Sequence, residues 1–234
     1  MVPLTSVVAA LLASVPLYAN AQLSSLVGTW SSGSNNVQTG RGFANPSNLS
    51  FTYPSTTGIS YSFATAGTDG QTWYEIARYR FTSNGSHPNC ITAVMNWAHG
   101  TVAVADNGSL ILTPNGDGYQ QIQDPCAAVS NFIENYNQTE LLVSGYYTYT
   151  DTTNGLTLQL YQFDGAPLAP MKQISSTPNM LPTQSLRNVT PATEVVSRRR
   201  KRSNSAQQVR QALGDWKLVS IAATLTLAVA VSVL

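Results

Sequence analysis

Asn154-Gly-Leu-Thr-Leu-Gln-Leu-Tyr-Gln-Phe163 is the stretch on which the fold can be read. An Asn-Gly pair favours a tight hairpin turn. Strict alternation follows it, with Leu156, Leu158 and Leu160 directed inward and Thr157 and Gln159 outward. That period of two is the signature of a β-strand with one buried face. The same arrangement recurs along the chain. Asn-Gly or Asp-Gly pairs begin at positions 69, 84, 107, 115, 117, 154 and 164. Between them lie short runs of β-formers: 59–63, 73–81, 91–97, 101–105, 110–113, 141–150 and 156–163. Trp73, Ala77, Tyr79 and Phe81 form a second apolar face, interrupted by Glu75. Residues 125–135 are the one stretch that reads as a short helix.

The predicted fold is all-β: an antiparallel, lipocalin-like β-barrel or a sandwich of about 8–10 strands. Barrel closure would remove the edge strands that otherwise aggregate. Leu26-Val-Gly-Thr-Trp30 resembles the Gly-x-Trp that opens the first strand of lipocalin-like barrels, which favours the barrel.

Both ends of the chain have a different character. Val7–Val15 is apolar but too short to span a bilayer, and Ala19-Asn20-Ala21 follows as a small-x-small cleavage pattern. Residues 1–21 therefore read as a signal peptide, although no Lys or Arg precedes the apolar stretch. Residues 22–172 form the β-domain. Residues 173–215 are polar and interrupted by Pro178, Pro182 and Pro191, as in a flexible stalk. Residues 216–234 read as a C-terminal transmembrane helix, with Trp216 and Lys217 at its interface. The apolar run Leu218–Leu234 would be roughly 25 Å long as a helix. That length suits a reticulum bilayer of about 27 Å.

A second reading of this tail is a signal for a glycolipid anchor, with Asn204, Ser205 and Ala206 as the attachment site and 207–217 as the spacer. The basic run Arg198–Arg202 would place its side of the helix in the cytosol, whereas the signal peptide places it in the lumen. The signal acts first, and it sets a single-pass, type I orientation. Lys201-Arg202 also resembles a dibasic processing site.

A secretory route supplies oxidation and glycosylation. Cys90 and Cys126 are the only cysteines, and in an oxidising lumen a lone pair most simply forms one disulfide. Closing that loop contributes on the order of 3–4 kcal/mol in the chain-entropy model. Five sequons occur, at Asn48, Asn84, Asn107, Asn137 and Asn188.

Several function classes lack their residues. Two histidines, His87 and His99, without a Cys/His cluster, do not suggest a metal site. No phosphate-binding glycine loop and no Gly-x-Ser-x-Gly is present, so neither a nucleotide nor another cofactor is expected. Between Gln22 and Ser185, nine carboxylates against four basic residues leave a net charge of −5, unlike a nucleic-acid-binding domain. Glu75, Asp106 and Asp69 are the carboxylates to consider for a glycosidase-like pair. Tyr146, Tyr147, Tyr149, Tyr161 and Phe163 cluster on two adjoining strands, and on alternate faces they cannot all be core: they either pack at the ends of a barrel, or some line a pocket or form an exposed patch that holds apolar segments of other chains.

A set of blocks, in order, is similar to the fungal Rot-type chaperones of the endoplasmic reticulum, named for reversal of TOR lethality. They include Gly28-Thr-Trp-Ser-Ser, Gly40-Arg-Gly-Phe43, Gly58-Ile-Ser-Tyr-Ser-Phe63 and Pro88-Asn-Cys90. His99-Gly-Thr101, Asn107-Gly-Ser-Leu-Ile-Leu-Thr-Pro114, Asp124-Pro-Cys126 and Tyr136-Asn-Gln-Thr-Glu140 follow. Leu158-Gln-Leu-Tyr-Gln-Phe-Asp-Gly165 and Met180-Leu-Pro-Thr183 complete the set. The resemblance implies a single-pass membrane protein of the reticulum with a lumenal domain. It implies a non-enzymatic chaperone for secretory and glycosylated proteins, including those of cell-wall β-1,6-glucan synthesis, and carries over no catalytic residue. Its partners would be unfolded or nascent secretory proteins and cell-wall biosynthesis proteins. The pair Cys90 and Cys126 fits its pattern. The rival readings are a cell-wall glycan-modifying enzyme and a GPI-anchored, lipocalin-like surface binder.

Overall fold

The turn pairs fall at strand ends or between strands, and long antiparallel hairpins result. The computed structural model describes residues 23–66 and 70–187. The signal segment, Asp69, Asn188, the Arg198–Arg202 run and the C-terminal apolar segment lie outside the described residues. Among the described residues no helix is long and apolar enough to cross a membrane.

The first strands are β1 (Gly28–Ser32), β2 (Ala44–Asn45), β3 (Ser50–Phe51) and β4 (Gly58–Ala66). The two longest follow, β5 (Gln71–Asn84) and β6 (His87–Val104). β7 (Leu110–Pro114), β8 (Tyr119–Gln123), β9 (Asn131–Asn135) and β10 (Glu140–Leu142) come next. β11 (Tyr147–Asp151), β12 (Gly155–Gln159) and β13 (Met171–Ser175) complete the set. Apart from the small β2–β3 ribbon, they form one antiparallel sheet in the order β10-β7-β6-β5-β4-β1-β13-β12-β11. β8 and β9 branch from β6.

This sheet is not closed into a barrel, and the reason lies in one segment. Residues 141–150 read as a single strand, but the chain forms two strands there. β10 pairs with β7, and β11 pairs with β12. These are the two ends of the sheet, so an unbroken strand would have joined them. Between the pieces, Gly145 adopts φ 101°, a conformation that costs an L side chain dearly and a glycine little. One backbone hydrogen bond, from Val143 N–H to Tyr161 O, crosses the gap at 3.2 Å. The sheet is thus curled to the point of closure and left open along a seam.

Curling gives the sheet an inner and an outer face. Trp30, Tyr61, Phe63, Ile76, Leu112, Leu142 and Leu158 fill one core within the curl. On the outer face a second core of Phe43, Phe51, Ala77, Trp97, Tyr119 and Leu181 is covered by the loop between β1 and β4 and by a C-terminal strap, residues 176–187. β13 crosses the position where the sequence places the start of the stalk, and the strap follows it as far as Arg187.

The segment 125–135 is not a helix. Residues 131–135 form β9, the outer partner of β8. Tertiary pairing with β8 overrides the weak helical preference of so short a stretch. The disulfide joins Cys90 to Cys126 with Cα atoms 5.7 Å apart. The β6–β8 register pairs Ala93 with Gln123, and three residues further it sets Cys90 opposite Cys126. The bond therefore extends a ladder beyond its last pair, at the Cα spacing of opposed antiparallel residues.

Candidate functional site

Alternation sends the odd-numbered residues of β5 outward, and this carries Glu75 beneath the strap. Its side chain is fully buried. Oε1 accepts the Gly40 N–H at 2.6 Å and the Trp97 indole N–H at 3.1 Å, and Oε2 accepts the Leu181 N–H at 2.5 Å. Burial raises its pKa above the ordinary carboxyl value, and the three N–H donors pull it partly back. Both oxygens are thus engaged by groups of the fold. Beside it, His99 Nε2 meets Asp117 at 3.0 Å, with both side chains buried. Asp117 also accepts the Leu186 N–H at 2.6 Å. Burial pushes Asp117 upward, but the bonds from His99 and Leu186 outweigh it and hold the group below its usual range. Arg187 then binds the carbonyls of Asp117 and Gly118. Two buried carboxylates therefore fasten the strap to the sheet.

The carboxylates considered as a glycosidase pair are not presented as one. Glu75 is sealed, Asp106 is exposed just after β6, and Asp69 lies outside the described residues. Among the described residues no group of three or more His, Cys, Asp or Glu is placed to hold a metal ion.

The seam is built differently. A cavity of about 400 Å³ opens there, lined by Ile59, Arg78 and Arg80 from the inner face, by Tyr136 just after β9, by Leu141 of β10, and by Phe163 from the segment after β12. Arg78 forms an ion pair with Glu140 and donates to the Tyr61 hydroxyl at 2.6 Å, which itself donates to Glu140 at 2.7 Å. Burial opposes the charge on Arg78, and Tyr61 and Glu140 more than restore it. At the rim, Phe163 is 73% exposed and Leu141 40% exposed.

The five aromatic residues of the sequence cluster divide accordingly. Tyr146 enters the inner core. Tyr147 and Tyr149 lie side by side along β11, their rings tilted by 42° with centroids 5.6 Å apart, and both are exposed. Tyr161 is half-buried beside the seam, and Phe163 stands at its rim. The cavity itself has no motif in the sequence, because its walls come from segments about eighty residues apart that only the curl brings together. Of the sequons, Asn48, Asn107 and Asn137 are exposed, and Asn84 ends β5.

Comparison with known proteins places this geometry in context. A family profile described as Rot1, a fungal chaperone for protein folding within the ER, matches residues 26–233. The protein rot1 of Botryotinia fuckeliana is 45% identical over 186 residues, which cover 79% of this chain and 68% of that one. The ROT1 protein of Candida glabrata is 45% identical over 165 residues, covering 69% and 60%. That of Saccharomyces cerevisiae is 41% identical over 181 residues, covering 76% and 68%. The matched stretch thus spans about two thirds of these relatives' length. No solved structure matches.

Proposed function

Since this chain belongs to the Rot1 family of fungal chaperones for protein folding within the ER, we propose that it holds apolar segments of unfolded proteins at the open seam. The observation that carries this reading is the exposure of Phe163 and Leu141 beside a cavity that no segment of the described chain fills. Large apolar side chains clustered around a concavity are the usual mark of a binding surface. The ends of the sheet at β10 and β11 also leave strand edges on which an extended segment can pair. Holding of this kind uses no nucleotide, and the family is one of chaperones and not of enzymes.

The setting we propose is a lumenal domain delivered by residues 1–21, glycosylated at its sequons, and anchored as a single-pass, type I protein by residues 216–234. Its clients are secretory and glycosylated proteins, those of cell-wall β-1,6-glucan synthesis among them. A peptide from Leu218–Leu234 in the mature chain supports the retained helix, and release by a phosphoinositide-specific phospholipase supports the lipid anchor instead.

The full chain, purified in detergent, is the material for the central test. It should suppress aggregation of a reduced, unfolding substrate at near-equal molar ratio, and Phe163→Ser with Leu141→Ser should abolish that. Unchanged suppression by the double variant overturns the seam as the holding site.

A further inference from the structure

The charges around the seam are unequal, and their balance points to the kind of segment it takes. Three charged groups line the cavity: Arg78, Glu140 and Arg80. Arg78 and Glu140 cancel each other in their ion pair. Arg80 is exposed, and no carboxylate of the described residues lies within ion-pair distance of it. It lies two residues beyond Arg78 on β5 and so shares the inner face. The remaining lining is apolar or neutral, with Ile59, Leu141, Phe163 and Leu168 joined by the amides of Gln138 and Gln162. The cavity therefore carries one uncompensated positive charge beside apolar walls, in a domain whose carboxylates outnumber its basic residues.

Resting on the seam as the holding site, we propose that it selects apolar segments flanked by an acidic residue, with Arg80 as the residue that reads the carboxylate. Apolar walls supply affinity without regard to sequence. A fixed cation adds discrimination, favouring a carboxylate and repelling a basic flank. Arginine suits the role because its fork can bind a carboxylate through two N–H groups. The excess of carboxylates in residues 22–185 repels an acidic segment from the rest of that domain's surface and so enhances the contrast at the seam.

Two fluorescein-labelled ten-residue peptides test this with the full chain in detergent. Each has a central Phe-Leu pair, and they differ only in a flanking Glu or Lys. Fluorescence anisotropy should show the Glu peptide binding about fivefold more tightly than its Lys twin, with the preference shrinking at 0.5 M salt. Arg80→Glu should reverse the preference while Phe163→Ser weakens both peptides. If the wild type binds the two equally and Phe163→Ser weakens both, the charge selection is wrong and the holding site stands. If Phe163→Ser affects neither binding nor aggregation suppression, the holding site fails and the selection with it. Equal weakening of both peptides by Arg80→Glu would make Arg80 a structural residue and overturn its assigned role.

Discussion

The outer face and the seam are two ways of ending one sheet. On the outer face the chain folds back on itself, and Glu75 and Asp117 are buried to fasten the strap to it. Each carboxylate oxygen of Glu75 meets an N–H donor, so this side chain is shielded from water. At the seam the chain had the means to close, since residues 140–151 pair with both ends of the sheet, yet a break at 143–146 leaves one hydrogen bond across the gap. The apolar side chains Phe163 and Leu141 stand exposed at its rim. The difference separates a covered face from an open one. The covered face supplies rigidity, and on the proposed reading the open one supplies the binding surface.

That contrast can be tested from either side. Glu75→Ala should have the greatest effect on stability, because three buried N–H groups lose their acceptor at once. A loss of about 4–5 kcal/mol is expected, seen as a fall in thermal midpoint of roughly 10–15 °C. A loss below about 1 kcal/mol would mean that the strap is not fastened there. Replacing Cys90 and Cys126 by Ser should cost about 3–4 kcal/mol, measured by urea unfolding. It should leave holding intact, because the bond staples β6 to the segment after β8 and does not line the seam.

Substitution at the seam should have the reverse outcome. Phe163→Ser changes an exposed side chain and should alter stability by no more than about 0.5 kcal/mol, while client holding is lost. A variant that unfolds instead would make Phe163 part of the core and erase the distinction between the two regions.

The smallest effect is one of pH, and it separates the two anchors of the strap. Asp117 titrates below its ordinary 3.8, so its contribution is present above that value and is lost as pH falls through the lowered one. Glu75 titrates above its ordinary 4.5, so its contribution is complete below that value and declines as pH rises through the raised one. Urea midpoints measured from pH 3 to 8 should show both limbs. Asp117→Asn should remove the acid limb alone.

Much of this was legible in the residues. Leu158 and Leu160 enter the core as alternation requires, and the Asn-Gly and Asp-Gly pairs of the described residues lie at strand ends or in the connections between strands. The outward Thr157 and Gln159 are buried as well, with the Gln159 amide held by the Leu160 and Leu168 carbonyls, while Leu156 at the strand's end is exposed. Period two reports which side of a sheet a residue takes, and it carries no information on whether that side is later covered. Glu75 illustrates the same limit. In sequence it interrupts an apolar face and suggests chemistry, whereas in the fold it is an acceptor for a strap more than a hundred residues away.

Local pattern was enough to establish an all-β domain with hairpin turns, because turn geometry and pleat depend on near neighbours. The kink at Gly145, the near-meeting of β10 and β12, and the cavity between them depend on contacts across the whole chain. Whether two distant edges join is set by how far the sheet curls around its core, which is a property of the assembled packing and of no single stretch of residues.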